Sequence, residues 1–224
     1  MFTHKNIQLT EMNAVTTDKG RKYKTPEGVD LPSITTVLSI LSRDSIAAWR
    51  KRVGEEEANR ISHKAASRGT KVHAIIEDYL NNKETYRDEY LPDIIASFND
   101  IKHILDTNIG DIYALEAPLY SNHLGVAGRV DCVADYGGKP SIIDFKTSRK
   151  KKKAEWVENY FMQEAAYAIM WEERTGIPIV QLVTIIAVDN SEPQVFIEHR
   201  DNWVRPLRDT IKRYKDEQES SLFV

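Results

Sequence analysis

Residues 128–148 (GRVDCVADYGGKPSIIDFKTS) contain three side chains whose types and spacing can do chemistry: Asp131, Asp144 and Lys146. Asp131 lies near the end of one apolar run, Gly137 and Gly138 follow, and the next apolar run ends in Asp144-Phe145-Lys146. Side chains two apart on a strand project from the same face, so Asp144 and Lys146 point together. The Gly-rich segment 136–140 predicts a hairpin connection that folds the Asp131 strand back beside the Asp144 strand. Two carboxylates and an ammonium then converge at one end of a small sheet. Hard oxygen ligands of this kind suit Mg²⁺ or Mn²⁺. A lysine beside such an ion can orient a water or stabilise charge developing on a phosphoryl oxygen. The chemistry implied is metal-assisted phosphodiester hydrolysis. An Asp and a Lys two apart on a strand are also common as solvated edge residues, so the rest of the chain must decide between the two readings.

A chain of 224 residues can form one large domain, and a hydrophobic fraction of 41% with 29% charged residues is that of a globular protein. No stretch approaches the apolar length needed to span a bilayer. The opening residues, MFTHKNIQLTEMNAV, have neither a signal-peptide apolar core nor the Arg-rich, acid-free character of a transit peptide. The expected location is therefore the cytoplasm. The lone Cys132 excludes an internal disulfide and an iron–sulfur cluster held by four cysteines of this chain. A net charge of −3 argues against a protein coated in nonspecific DNA affinity. Charge is unevenly placed, however: residues 146–153 hold six basic side chains in eight and no acid. Such a run is either a solvated loop or a phosphate-tracking one.

These residues need elements to carry them. The first thirty residues read as an irregular or hairpin segment, with turn signals at Lys19-Gly20 and Pro26-Glu27-Gly28. Residues 31–38 (LPSITTVL) lead into a helix that Ser33 can cap. Residues 44–60, with Trp49, predict a second helix, residues 63–80 a third, and residues 94–105 a fourth with apolar side chains at helical period. Strands follow at 112–120, 126–134 and 141–147. The first carries Glu116, and its Pro118 suggests an edge or bent position. A helix over 155–174 ends at Gly176, residues 179–188 are a buried strand, 194–198 a short strand, and 202–219 a closing helix. The core order is α-β-β-β-α-β, preceded by an N-terminal helical region. If the strands over 141–147 and 179–188 run parallel, the helix between them makes a right-handed crossover.

This order, with Asp131 followed by Asp144-Phe145-Lys146, resembles the PD-(D/E)xK nuclease superfamily, in particular its RecB-like exonuclease branch. Arg68-Gly-Thr-Lys-Val-His73 resembles the Gly-x-x-x-His helix motif of that branch, and Gln163 with Tyr167 its Gln-x-x-x-Tyr motif. Residues 31–38, Trp49-Arg-Lys-Arg and the helix carrying Gly69 and His73 are similar to the mitochondrial genome-maintenance exonuclease group. The resemblance spans about residues 30 to 170. No Pro precedes Asp131, as in many relatives.

The resemblance implies an α/β restriction-endonuclease-like core, a mixed sheet flanked by helices. Residues 1–110 would form an irregular and helical region that helps make a passage for one strand, and 111–224 the catalytic sheet core, within one domain. It implies a metal-dependent exonuclease acting on single-stranded DNA in replication, recombination or repair. A monomeric phage or bacterial enzyme needing Mg²⁺ or Mn²⁺ and no membrane is expected. Asp131, Asp144, the Phe145 carbonyl and His73 would hold metal, with Glu116 contacting it through water and Lys146 positioning the attacking water. Arg149, Lys150, Lys151, Lys152, Lys153, Lys64, Arg68 and Lys71 would meet phosphates, Gln163 and Tyr167 would face substrate or active site, and Trp49 or Tyr79 could stack on a base. Local alternatives stand beside these roles. His73 and Glu77 make an ordinary surface pair at i,i+4, Tyr167 and Trp49 make core residues (for Trp49 the better reading), and Glu116 makes an exposed strand residue. Asp135 is a lesser rival to Asp131. Two other functions fit the same residues: a nuclease of duplex ends or branched DNA, and a nucleic-acid-binding module without catalysis.

Overall fold

The computed structural model describes residues 1–5, 7–18 and 20–220. A small antiparallel sheet comes first, with strands β1 (Ala14–Thr17), β2 (Gly20–Lys24) and β3 (Asp30–Pro32). Lys19, part of one expected turn, lies outside the described residues. Helix α1 (Ile34–Leu38) begins where expected, because the Ser33 hydroxyl accepts the Thr36 amide at 3.0 Å and satisfies a donor the helix cannot. Helices α2 (Arg43–Val53), α3 (Glu55–Leu80) and α4 (Pro92–Asn108) follow.

The boundaries of α2 and α3 differ from the sequence reading, which divided them between residues 60 and 63. The break falls at Gly54, where φ is +87° and ψ 148°, a conformation that ends a helix and that side chains resist. Nothing interrupts the chain again until Asn81, so α3 is one helix of 26 residues. Glu55, Glu56 and Glu57 occupy its first turn, where the helix dipole favours negative charge.

Five strands build the main sheet: β4 (Ile109–Ser121), β5 (Val126–Tyr136), β6 (Lys139–Ser148), β7 (Gln181–Val188) and β8 (Gln194–His199), in that spatial order. β6 and β7 are parallel and all other pairs antiparallel. The β5–β6 connection is the two-residue hairpin expected, with Gly137 and Gly138 both at positive φ. Pro118 sits on β4, an edge strand, as its missing N–H requires. Helix α5 (Glu158–Thr175), entered through a 3₁₀ turn at Ala154–Trp156, crosses from β6 to β7, and α6 (Arg200–Ser220) closes the chain.

Helices α3 and α4 cover one face of the sheet; α1, α5 and α6 cover the other. The α3 side is packed with Val72, Ile75, Ile76, Phe98, Ile143 and Phe145. The α5 side is packed with Ile34, Leu119, Val130, Ile142, Met170 and Trp171. Among the described residues no helix is long and apolar enough to cross a membrane.

Candidate active site

The site forms where β5 and β6 part. Their paired residues run from Tyr136↔Lys139 to Cys132↔Ile143 and stop, whereas β6 stays paired with β7 out to Ser148↔Val188. The ladder bond lost at the fork is replaced by a side chain: Asp131 Oδ2 accepts the Phe145 amide at 2.8 Å. An unpaired buried amide costs about 1–3 kcal/mol, so this bond fixes the Asp131 carboxylate in the gap.

A change of phase in both strands accompanies the fork. Ala114 packs on the α5-side core and Leu115 on the α3 side, yet Ala117 and Leu119 return to the α5 side. Regular alternation would send Ala117 the other way. The irregular residue is Glu116, at φ +44°, a conformation that costs a non-glycine residue about 1–3 kcal/mol and that gathers at functional sites. Arg129 Nη1 donates to the Glu116 carbonyl. On β5, Val130 and Val133 share the α5-side core while Cys132 faces α3, so that strand changes phase around Asp131. Glu116 lies between Leu115, paired with Cys132, and Ala117, paired with Val130, and therefore stands opposite Asp131.

Helix α3 brings His73 to this pair. His73 Nδ1 is 3.6 Å from Asp131 Oδ2 and 3.8 Å from Glu116 Oε1, and Nε2 is 2.6 Å from the Phe145 carbonyl oxygen. One ligand atom from each of His73, Glu116 and Asp131 lies within 4.8 Å of the others. Burial works against a charged imidazole, but Asp131 and Glu116 outweigh it and push the pKa up to about 9. Protonated, the ring separates two carboxylates that would otherwise repel, and it must give up its Nδ1 proton to ligate a cation.

Asp144 and Lys146 lie next to this group and look toward α5. They form an ion pair between a buried carboxylate and a half-buried ammonium, in which Asp144 Oδ2 is in contact with Lys146 Nζ without accepting a well-aligned hydrogen bond. Asp144 Oδ1 accepts from Gln163 Nε2 at 2.9 Å. Burial pushes the Asp144 carboxyl up to about 6, with Asp131 adding to the shift and Lys146 opposing it. Burial works against the Lys146 charge, but Asp144 and Asp131 prevail and hold the ammonium protonated. Lys146 Nζ also lies over the Tyr160 ring, 5.1 Å from its centroid.

The donor set suits a hard divalent cation: one imidazole, two partly buried carboxylates and an adjacent carbonyl, meeting in a gap between strands. Asp144 borders this group, with its carboxylate turned to Lys146 and Gln163. Asp135 is occupied elsewhere, where it accepts from the Tyr113 hydroxyl at 2.9 Å.

The residues expected to meet DNA divide into inner and outer sets. Gln163 and Tyr167 are both buried. Gln163 donates to Asp144 of the site, and Tyr167, a member of the α5-side core, packs against Gly128. Arg68 is ion-paired to Asp189 and donates to Ser97 at 2.9 Å, which ties α3 to α4 and to the turn after β7. Lys71, Arg149, Lys150 and Lys151 are exposed. A cleft of about 1110 Å³ runs from Thr147 and Ser148 past Lys64, Arg68, Arg149, Lys150 and Lys152, with Asp93, Asp100, Asp189 and Glu192 also lining it. Trp49 is half-exposed on α2, a helix that buries none of its residues, so the core-anchor reading of Trp49 does not hold. Tyr79 packs against Phe2, Tyr86 and Phe98.

Three further residues were missed in the sequence. Glu164 is fully buried, donated to by the Thr184 hydroxyl, and burial raises its pKa well above the usual carboxylate range. Tyr160 precedes Gln163 by three and Tyr167 by seven, so a helical-face count would have found it. Trp156, at 61% exposure, had no periodic signal to mark it.

Fold and site together define a two-carboxylate-and-lysine nuclease core. The profile of the PD-(D/E)XK nuclease superfamily matches residues 87–218, more than half of the chain, and the chain belongs to that superfamily. The match includes Glu116, Asp131, Asp144 and Lys146; His73 lies outside it. Human mitochondrial genome maintenance exonuclease 1 is 31% identical over 132 residues, which cover 54% of this chain and 38% of that protein. The Xenopus tropicalis protein of the same name is 28% identical over 148 residues, 61% of this chain and 42% of that one. The chain thus spans well under half the length of these relatives. A solved structure of a candidate exonuclease from Eubacterium rectale superposes with a TM-score of 0.43 at 15% identity, over 67% of this chain and 65% of that one. That likeness is too loose to bear on function.

Proposed function

We propose that this chain is a metal-dependent deoxyribonuclease that digests DNA from an end, prefers single strands and works as a monomer with Mg²⁺ or Mn²⁺. The observation that carries the reading is the meeting of His73, Glu116 and Asp131 beside the Asp144–Lys146 ion pair, at the fork between β5 and β6. His73, Glu116, Asp131 and the Phe145 carbonyl would hold the ion, with Asp144 at its border. When bound, the ion supplies a water of lowered pKa and offsets phosphate charge. Lys146, kept protonated by Asp144, points its charge at the phosphoryl oxygens and orients the attacking water. Gln163 holds Asp144 in place for that task. Arg149, Lys150 and Lys151 carry phosphates by charge, and the helices of residues 1–110 shape the strand's passage. The similarity to exonucleases, with the exposed basic loop, supports DNA as substrate and a role in replication, recombination or repair.

The test is cleavage of DNA labelled separately at each end, single-stranded and duplex, with Mg²⁺ or Mn²⁺. Lys146→Ala is expected to lose roughly a hundredfold or more of the rate while still binding Mn²⁺. Equal activity of the two proteins would remove Lys146 from the mechanism. Cleavage confined to duplex ends would overturn the strand preference, and DNA binding without cleavage in either metal would leave a binding module.

A further inference from the structure

The loop between β6 and α5 is held in one shape. Gln194 clamps both backbone groups of Lys152: its Oε1 accepts the Lys152 amide at 2.7 Å and its Nε2 donates to the Lys152 carbonyl at 2.9 Å. The Ser148 hydroxyl donates to the Lys150 carbonyl at 2.7 Å. Arg149, Lys150 and Lys151 project outward from this clamped backbone, and among the described residues none of them is ion-paired. The loop leads into the Ala154–Trp156 turn, whose Trp156 is 61% exposed. Its neighbour Val157 is fully buried with Phe161, so the backbone beneath the indole is anchored in the core. Lys153 Nζ lies 5.4 Å from the Trp156 ring centroid. One helical turn further on, Tyr160 covers Lys146.

We infer that Trp156 and the clamped basic loop form a platform that selects unpaired bases next to the cleavage site. The occupant is a single DNA strand, with its phosphates on Arg149, Lys150 and Lys151 and one base stacked on Trp156. Exposed cations match phosphate charge, and any base can stack because every base has a π face. Away from its ends a duplex covers its base faces with their neighbours, so the indole gains nothing there. The backbone under the platform is held before it binds, so little backbone ordering opposes stacking. This inference deepens the nuclease reading above and rests on it for the identity of the strand.

Fluorescence anisotropy in metal-free buffer, with a labelled single strand and a covalently closed circular duplex, tests it without cleavage. Trp156→Ala is expected to weaken single-strand binding roughly five- to hundredfold and to leave duplex binding within twofold. Trp156→Phe should restore most of the loss. Lys150→Ala should weaken both DNA forms and lower the salt slope by about one counterion. Unchanged single-strand affinity in Trp156→Ala, or an equal loss on duplex, would overturn the platform. A side chain this exposed leaves the core intact on removal, which a thermal melt of the variant checks. Failure of the wild type to cleave DNA with metal would sink the nuclease reading instead, and the two failures are read in separate experiments.

Discussion

Gly128 and Tyr167 show how closely single residues are matched around the fork. A Cβ added at Gly128 would lie 2.7 Å from the Tyr167 ring and 2.9 Å from its hydroxyl, in a place where the ring is buried. Gly128→Ala is therefore expected to cost about 1–3 kcal/mol by overpacking. Tyr167→Leu in the same protein should recover part of that loss, which makes the two changes non-additive in urea melts. Additive losses would mean that the ring moves aside freely. Arg129 makes a different kind of match. Its guanidinium takes the carbonyl of the strained Glu116, and that strain comes with the carboxylate's place opposite Asp131. Arg129→Ala should weaken Mn²⁺ binding roughly tenfold, as loss of a supporting hydrogen bond does at metal sites, with Arg129→Lys in between. Calorimetric titration of the two variants checks this, and wild-type affinity in Arg129→Ala would show that Glu116 holds its place unaided.

Helices differ in what they risk when a glycine is replaced. Gly54 separates α2 from α3 at φ +87°, and an added Cβ there meets nothing within 4 Å, so Gly54→Ala is a test of backbone strain alone. The strain is about 1–3 kcal/mol. Because α2 buries no residue, the chain relieves that strain by swinging α2 away at little cost to the core. The expected outcome is faster protease nicking near residues 50–56 with a melting temperature almost unchanged. A fall of several degrees would mean that α2 contributes to the core after all. Helix α5 is the opposite case. Ten of its residues are buried, and one face carries Tyr160, Gln163 and Tyr167 toward the site. A change that shifts α5 should therefore alter Asp144 and Lys146 before it alters anything at the surface.

Across the whole molecule, the sheet separates two cores, and Cys132 sits on β5 beside the fork with no exposure. Burial raises its thiol pKa far above the usual range. The thiolate is the reactive form, so native protein should be inert to thiol reagents and react at the rate of global opening. Reaction within minutes at pH 8, without denaturant, would mean that the β5–β6 fork opens locally.

Much of the design was legible in the chain because it is local. Apolar runs bounded by turn residues located the five main strands, Gly137-Gly138 marked the hairpin, Ser33 the start of α1, and the Asp144-x-Lys146 spacing a shared strand face. Those signals depend on neighbours within a few residues, where backbone geometry sets which side chains align. The parting of β5 from β6 was not legible, nor the phase change at Glu116, the bond from Phe145 to Asp131, or the burial of Asp144 in its pair with Lys146. Each of these joins residues far apart in sequence through packing of a third element, α3 or α5, against the sheet. Side-chain type and order thus named the chemistry, while tertiary packing alone brought His73, Glu116 and Asp131 within 4.8 Å and turned Asp144 toward Lys146.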